Sequence, residues 1–198
     1  MNHQKALHLS AKILFLLIAA ALPAFSQQDP KSQIEPSYEA VLQVVIGSDQ
    51  AGELPQGLAP ITRQLRSNFG FSGYRLANTF IGRFSPGGSL EYKSVADIFG
   101  QPQDSAVPTF LDWTMGRLRV AQDERGQTMI QAEPFRFGAR VPVRVGQPNA
   151  EAVNYETVGL TTMRLGLPAG RPTLVGTLSL PKTSGTMFLV LTVRPADN

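Results

Sequence analysis

The segments Thr173–Leu180 (TLVGTLSL), Pro181–Gly185 (PKTSG) and Met187–Arg194 (MFLVLTVR) decide the fold. Apolar residues alternate along the two outer segments, and a loop that contains a glycine separates them. Spacing with a period of two, in segments rich in β-branched residues, predicts a β-hairpin. The second strand is apolar on both faces for most of its length, so we predict that it lies centrally in a sheet.

The remainder of the chain predicts a mainly β domain, a sandwich or an open barrel, with one amphipathic helix. Short strands separated by turn residues favour antiparallel pairing. No internal repeat is visible, and we expect one domain. The boundaries are a signal peptide at 1–26, a flexible lead-in at 27–36, and a single β-rich domain at 37–198, whose strand-helix-hairpin part is 37–95 and whose antiparallel strands are 108–198.

The β-rich domain opens with a predicted strand-helix-strand unit. Tyr38–Ile46 alternates as a strand, Leu58–Phe69 has apolar residues at helical spacing, and Tyr74–Phe84 is a second strand. The turn Ser85–Gly88 is then expected to lead into a short partner strand around Leu90 and Tyr92. Further strands are predicted at Phe110–Val120 and Tyr155–Leu167. Between them, Thr128–Ala132 and Phe135–Val145 form one or two strands, interrupted by Pro134.

The first residues predict an export signal. Lys5 and Lys12 give a positively charged segment ahead of the apolar run Ile13–Leu22, and Pro23 precedes the small-residue cleavage site Ala24–Ser26. A membrane-spanning helix needs roughly 20 apolar residues, and this run has about half that number, which favours cleavage over a retained anchor. We expect no membrane-spanning segment after cleavage and a location in the periplasm or outside the cell.

Loss of the leader restricts the available chemistry. His3 and His8 are the only histidines, and the chain has no cysteine. A Ser-His-Asp triad, a Cys-His pair and a histidine-ligated zinc ion are therefore excluded, and we expect no enzyme, no metal and no cofactor. The leader holds two of the eighteen Lys and Arg and none of the fifteen Asp and Glu, so the mature chain has a net charge of +1. This near-neutral balance argues against nucleic acid as a partner.

Arg136, Arg140 and Arg144 form the clearest charged pattern. Their spacing of four residues puts all three on one face of a strand whose other face is apolar. Pro142 has no N–H for a sheet ladder, so an edge position or a bulge is expected. The face is either solvated, where it discourages edge-to-edge aggregation, or it meets an anion on an acidic protein, a wall polymer or lipid headgroups. Arg117 and Arg119 would extend it if their strand were adjacent.

Aromatic and acidic residues offer two alternatives. Trp113 and Tyr155, with the other strand tyrosines, either line a ligand groove or pack in the core. A glycan hydrolase would need two carboxylates that face each other at roughly 5–9.5 Å. The candidates are Glu91, Asp97, Asp112, Glu133 and Glu156. Asp112 lies between two aromatic residues of a strand, where a structural ion pair with an arginine is the other interpretation.

The succession Tyr155–Leu160 (YETVGL), Leu174–Leu178 (LVGTL) and Phe188–Pro195 (FLVLTVRP) resembles the closing β-strands of bacterial secretins, which form outer-membrane gates of secretion and pilus systems. The opening strand-helix-strand unit is similar to their small periplasmic modules. The chain is shorter than a gate with its string of modules. The resemblance therefore implies an accessory or assembly component and not a pore, and it carries over no site residue.

From these observations we expect an exported, non-catalytic binding or assembly protein of the bacterial envelope, accessory to a secretion or pilus system. Its partner would be an envelope or secretion-system protein, and self-association into a homo-oligomer is a further option. The candidate binding residues are Arg136, Arg140, Arg144, Trp113 and Tyr155. The alternatives are a module that binds a sugar, a lipid or a wall fragment, and a carboxylate-dependent glycan hydrolase.

Overall fold

The computed structural model describes residues 36–96, 107–147, 150–181 and 185–196. The predicted signal peptide, nearly all of the lead-in, and Asp97 lie outside the described residues. Eleven strands and one α-helix are found in the described part of the chain: β1 (Tyr38–Ser48), α1 (Ala59–Asn68), β2 (Gly73–Phe84), β3 (Leu90–Ala96), β4 (Thr109–Met115), β5 (Arg119–Gln122), β6 (Thr128–Ala132), β7 (Phe135–Gln147), β8 (Ala150–Thr162), β9 (Leu165–Pro168), β10 (Thr173–Ser179) and β11 (Thr186–Pro195).

The strands form three antiparallel sheets. Sheet A has the order β10-β11-β1-β2, sheet B the order β3-β4-β7-β8, and sheet C the order β5-β6-β9. The predicted mainly β fold with one helix is confirmed, and its two four-stranded sheets pack as a sandwich. The predicted hairpin at the C-terminal stretch is β10–β11. Its second strand is central, because β11 pairs with β10 on one side and with β1 on the other.

The main hydrophobic core lies between sheets A and B. Alternate residues of β1 and β11 point inward from sheet A, and alternate residues of β4 and β7 meet them from sheet B. Trp113 is at the centre of this core with no exposed surface. Its ring stacks on that of Tyr92 at 5.6 Å and contacts the edge of Phe80 at 6.3 Å.

A second core covers the outer face of sheet A. Helix α1 places Ile61 and Leu65 against the sheet, where they meet Val45, Phe188 and Val190. Strand β11 therefore contributes to both cores, which explains why it is apolar on both faces. Six of its side chains have no exposed surface, and each contributes about 1.5–3 kcal/mol to folding by burial.

One expected hairpin is wrong. Strands β2 and β3 lie in different sheets, so the turn at Ser85–Gly88 carries the chain from sheet A to sheet B. The turn is bonded to a distant segment: the Gly87 N–H donates to the Leu118 carbonyl at 2.7 Å, and the Leu118 N–H donates to the Gly88 carbonyl at 3.2 Å. Alternation along β3 fixes which of its residues face inward, but it does not fix the sheet to which the strand belongs.

Strands β6 to β9 form one long, bent hairpin. The pairing of Met129 with Pro168 in sheet C and that of Phe135 with Thr162 in sheet B belong to the same register, without a shift between them. The bend lies at Glu133–Pro134, a cis peptide bond, where the Glu133 carboxylate accepts a hydrogen bond from Arg164 Nε at 2.8 Å. The bend divides the expected strand Tyr155–Leu167 into β8 and β9. The expected strand Phe110–Val120 is likewise divided, into β4 and β5.

Candidate functional site

The candidate site is the outer face of sheet B, which we call the arginine face. In each strand of this sheet the residues that alternate with the core positions point outward. Paired outward residues form successive rows across the sheet. From β3 to β8 these rows are Glu91–Thr114–Arg136–Thr161, Lys93–Asp112–Gly138–Gly159 and Val95–Phe110–Arg140–Thr157, followed on β7 and β8 by Pro142–Tyr155 and Arg144–Val153.

The predicted arginines all lie on this face and are exposed. Strand β4 pairs with β7 as far as Arg140, so the residues beyond it pair only with β8. Pro142 lies in this part of β7, where no third strand requires its missing N–H. Strand β7 is therefore an edge strand at Pro142, as expected, but it is a central strand up to Arg140.

Arg140, Phe110 and Tyr155 form a cluster on the arginine face. The guanidinium carbon of Arg140 lies 4.7 Å from the centroid of the Phe110 ring, a cation–π contact. The Phe110 and Tyr155 rings are 5.6 Å apart, and the Tyr155 hydroxyl donates to the Pro108 carbonyl at 3.2 Å. The cluster holds a planar guanidinium at the surface, and such a group suits bidentate pairing with a carboxylate.

Neither Arg136 nor Arg140 has an ion pair or hydrogen bond with the described part of the chain. Other arginines do have such partners. Arg194 donates to the Glu39 carboxylate at 2.7 Å, and Arg164 pairs with Glu133. The arginine face thus presents two cations that the fold leaves without an acidic partner.

A shallow trough separates the rows of Arg136 and Arg140. Gly138 and Gly159 pair in register and leave the floor without side chains. The Asp112 carboxylate lies over Gly138: a Cβ built on this glycine would be 2.8 Å from Asp112 Oδ1. The expected ion pair between Asp112 and an arginine is not among the contacts of the described residues. Asp112 is therefore an exposed acceptor between two cations.

The remaining candidate residues lie elsewhere. Trp113 points into the sandwich core, and its indole Nε1 has no hydrogen-bond partner in the described structure. Arg119 belongs to β5 in sheet C, which is not adjacent to β7, so the condition under which Arg117 and Arg119 would extend the arginine face is not met. The core position of Trp113 could be predicted from the alternation of β4. Leu111, Trp113 and Met115 share the apolar face of this strand, whereas Asp112 is on the other face.

The candidate carboxylates are dispersed. Glu91 pairs with Lys93 at 3.0 Å on β3, and Glu133 pairs with Arg164 at the bend of the long hairpin. Glu156 is on β8 opposite Val141, a residue of the main core. Among the described residues, no group of three or more His, Cys, Asp or Glu side chains could hold a metal ion.

No model of a protein family matches the chain, and no curated protein matches it. Among solved structures, the chain is similar to the secretin InvG (residues 176 to the end, open gate state) of the SPI-1 type III secretion injectisome of Salmonella, with 11% identity and a TM-score of 0.35. The match covers 96% of this chain and 66% of the InvG chain, so this chain spans just under two thirds of it. The resemblance to secretins is supported only as a weak structural similarity.

None of the helices in the described ranges is long and apolar enough to cross a membrane.

Proposed function

We propose that this chain is an exported, non-catalytic docking protein of the bacterial envelope, and that its arginine face binds an acidic partner protein. One observation carries the proposal: sheet A is covered on its outer face by α1, whereas the outer face of sheet B presents Arg136 and Arg140 without acidic partners. Two unpaired arginines, of which Arg140 contacts Phe110 next to Tyr155, match the composition of binding surfaces, which are enriched in arginine and aromatic residues.

The leader and the absence of histidine and cysteine from the rest of the chain support the same proposal. A protein exported without these residues lacks the commonest groups for nucleophilic and general base catalysis. A role as an accessory to a secretion or pilus system is part of the proposal, and it rests on the resemblance of the closing strands to secretins.

The ligand-binding and hydrolase alternatives have less support. Of the aromatic residues proposed for a ligand groove, Trp113 is in the core, Tyr92 stacks on it, and the Tyr74 hydroxyl binds the end of α1. For the hydrolase, Glu91 and Glu133 are each paired with a cation.

Site-specific photocrosslinking in cells tests the proposal. A photoreactive residue at Thr157 or Thr161, both exposed beside the arginines, is expected to capture an envelope protein. The control position is Gln64, which is exposed on α1. The double change Arg136→Glu and Arg140→Glu should abolish capture, because it replaces both cations by anions, whereas Arg63→Glu on the helix should leave it unchanged. Equal capture from Gln64, or capture that survives the double change, would contradict the proposal.

A further inference from the structure

The arginine face has an ordered charge pattern along the strand direction. Glu91 and Lys93, which lie in the rows of Arg136 and Asp112, pair with each other on β3 at 3.0 Å. The remaining charges of three successive rows are Arg136, Asp112 and Arg140, a sequence of plus, minus, plus. Rows are two residues apart, which is about 6.8 Å, so the two arginines are separated by about 14 Å along β7. The middle charge is displaced by one strand, onto β4. The carboxylate lies over Gly138, however, which brings it between the two arginine rows.

An extended polypeptide has the same repeat. Its side chains on one face recur every two residues, at the spacing of the rows of a sheet. A segment with acidic, basic and acidic residues at positions i, i+2 and i+4 therefore matches all three charges of the face. The glycine floor of the trough gives a long basic side chain room to reach Asp112.

We infer that the arginine face recognises an extended segment of its partner with the pattern acid-x-base-x-acid. The two carboxylates pair with Arg136 and Arg140, and the basic side chain enters the trough and pairs with Asp112. This inference rests on the proposed docking function and adds the chemistry of the partner segment to it.

Two other occupants fit the face less well. A membrane surface attracts clusters of 4–8 basic residues. The basic residues of this face are interspersed with the carboxylates of Glu91 and Asp112, and Lys93 is paired with Glu91, so the face is a weaker match to an anionic lipid surface. A second copy of the chain would present the same surface to itself. Pairing plus with minus then requires an offset of one row, and the offset leaves one arginine of each copy unmatched, either Arg140 or Arg136. An acid-x-base-x-acid segment satisfies all three charges at once.

Fluorescence anisotropy with labelled peptides tests the inference on the full chain. Three seven-residue peptides share threonine at the x positions and carry Glu-x-Lys-x-Glu, Glu-x-Glu-x-Glu or Lys-x-Glu-x-Lys. At low ionic strength we expect the first to bind roughly fivefold more tightly than the second, and the third to bind weakest. Asp112→Asn should remove the preference for lysine at the centre, and Asp112→Lys should reverse it. The matched control is Glu124→Gln, an exposed carboxylate in the turn between β5 and β6.

Gly138→Ala provides a second test of the trough. The added methyl group would displace the Asp112 carboxylate, so the preference for a central lysine should shrink while both glutamates still contribute. Circular dichroism verifies that each variant is folded. A Glu-x-Glu-x-Glu peptide that binds as tightly as the lysine-centred one, or a preference unchanged by Asp112→Asn, overturns the inference.

The alternative occupants give different results. Binding to vesicles of anionic lipid without peptide discrimination would indicate a membrane surface, and a dimer lost on Asp112→Lys would indicate a second copy; either result overturns the inference. The docking function has its own test. Crosslinks from Thr157 without peptide discrimination would leave the proposed function standing and remove only the charge pattern.

Discussion

At the scale of single residues, Tyr74 ties the end of α1 to sheet A. Its hydroxyl is within hydrogen-bond distance of the carbonyls of Leu65 (3.0 Å) and Phe69 (3.1 Å), which lie at the end of the helix. Burial raises the pKa of the Tyr74 phenol, and the nearby charge of Arg66 lowers it by a smaller amount. The folded protein therefore disfavours the tyrosinate.

This shift predicts a loss of stability in alkali. Since the pKa of Tyr74 is higher in the folded than in the unfolded state, the unfolded chain releases this proton first as the pH passes about 10. Stability that is complete below this pH should fall above it. Melting temperatures measured between pH 8 and 11 should decline less in Tyr74→Phe than in the wild type, although the variant starts lower because it lacks the hydrogen bonds. Tyr155→Phe is the control and should keep the full decline.

Trp113 shows how far single residues could be assigned from the sequence. It was a candidate for ligand contact because aromatic residues serve both binding and packing. The alternation Leu111, Trp113, Met115 placed it on the apolar face of its strand, and the structure buries it there. Arg136 and Arg140 were correctly placed on one face. Their lack of acidic partners depends on which strands are adjacent, and local alternation does not contain that information.

At the scale of elements, the long hairpin from β6 to β9 depends on close contact between its strands. Gly159 of β8 lies against Phe137 of β7, and a Cβ on this glycine would be 2.6 Å from the Phe137 carbonyl oxygen. Backbone atoms on both sides of such a contact cannot yield as a flexible side chain can. The pairing of Gly138 with Gly159 thus serves the hairpin as well as the trough.

Gly159→Ala should therefore destabilise the domain by about 1–3 kcal/mol through overpacking. Urea denaturation monitored by circular dichroism measures this change. Gly57→Ala is the matched control, because a Cβ there meets nothing within 4 Å, and it should be neutral or stabilising by up to about 1 kcal/mol. Equal midpoints for the two variants would show that β7 and β8 can separate to accept a methyl group.

Some elements and connections could be predicted from the local sequence pattern, and others could not. Period-two spacing defined β1 and the β10–β11 hairpin, and apolar residues at helical spacing defined α1. The crossing from β2 to β3 was missed because a glycine-rich turn looks the same whether it joins neighbours in one sheet or carries the chain between sheets. The pairing of Gly138 with Gly159 could not be predicted either, because it depends on the register of the long hairpin.

At the scale of the whole molecule, the two hydrophobic cores share β1 and β11. Val45 and Phe188 pack under α1, while Leu42 and Leu189 of the same strands pack in the sandwich. Loss of one core therefore leaves a shared strand without support on one face. We expect the domain to unfold as a single cooperative unit.

Leu65→Ala tests this coupling. The change removes a fully buried side chain of α1 and should cost about 2–5 kcal/mol. Trp113 reports on the opposite core, so its fluorescence in a urea titration should shift together with circular dichroism, to a lower midpoint. Arg63→Ala on the exposed side of α1 should leave the midpoint nearly unchanged. Loss of helix signal before any change in Trp113 fluorescence would show that the cores unfold separately.

The central place of β11 also affects the order in which the protein can be made. Glu39 of β1 and Arg194 of β11 bond to each other across 155 positions of the chain, and β11 contributes side chains to both cores. Neither core is complete until this strand has left the ribosome. The edge of β1 that pairs with β11 stays open while almost all of the domain is synthesised, so incomplete chains should be substrates for chaperones that shield unpaired strands.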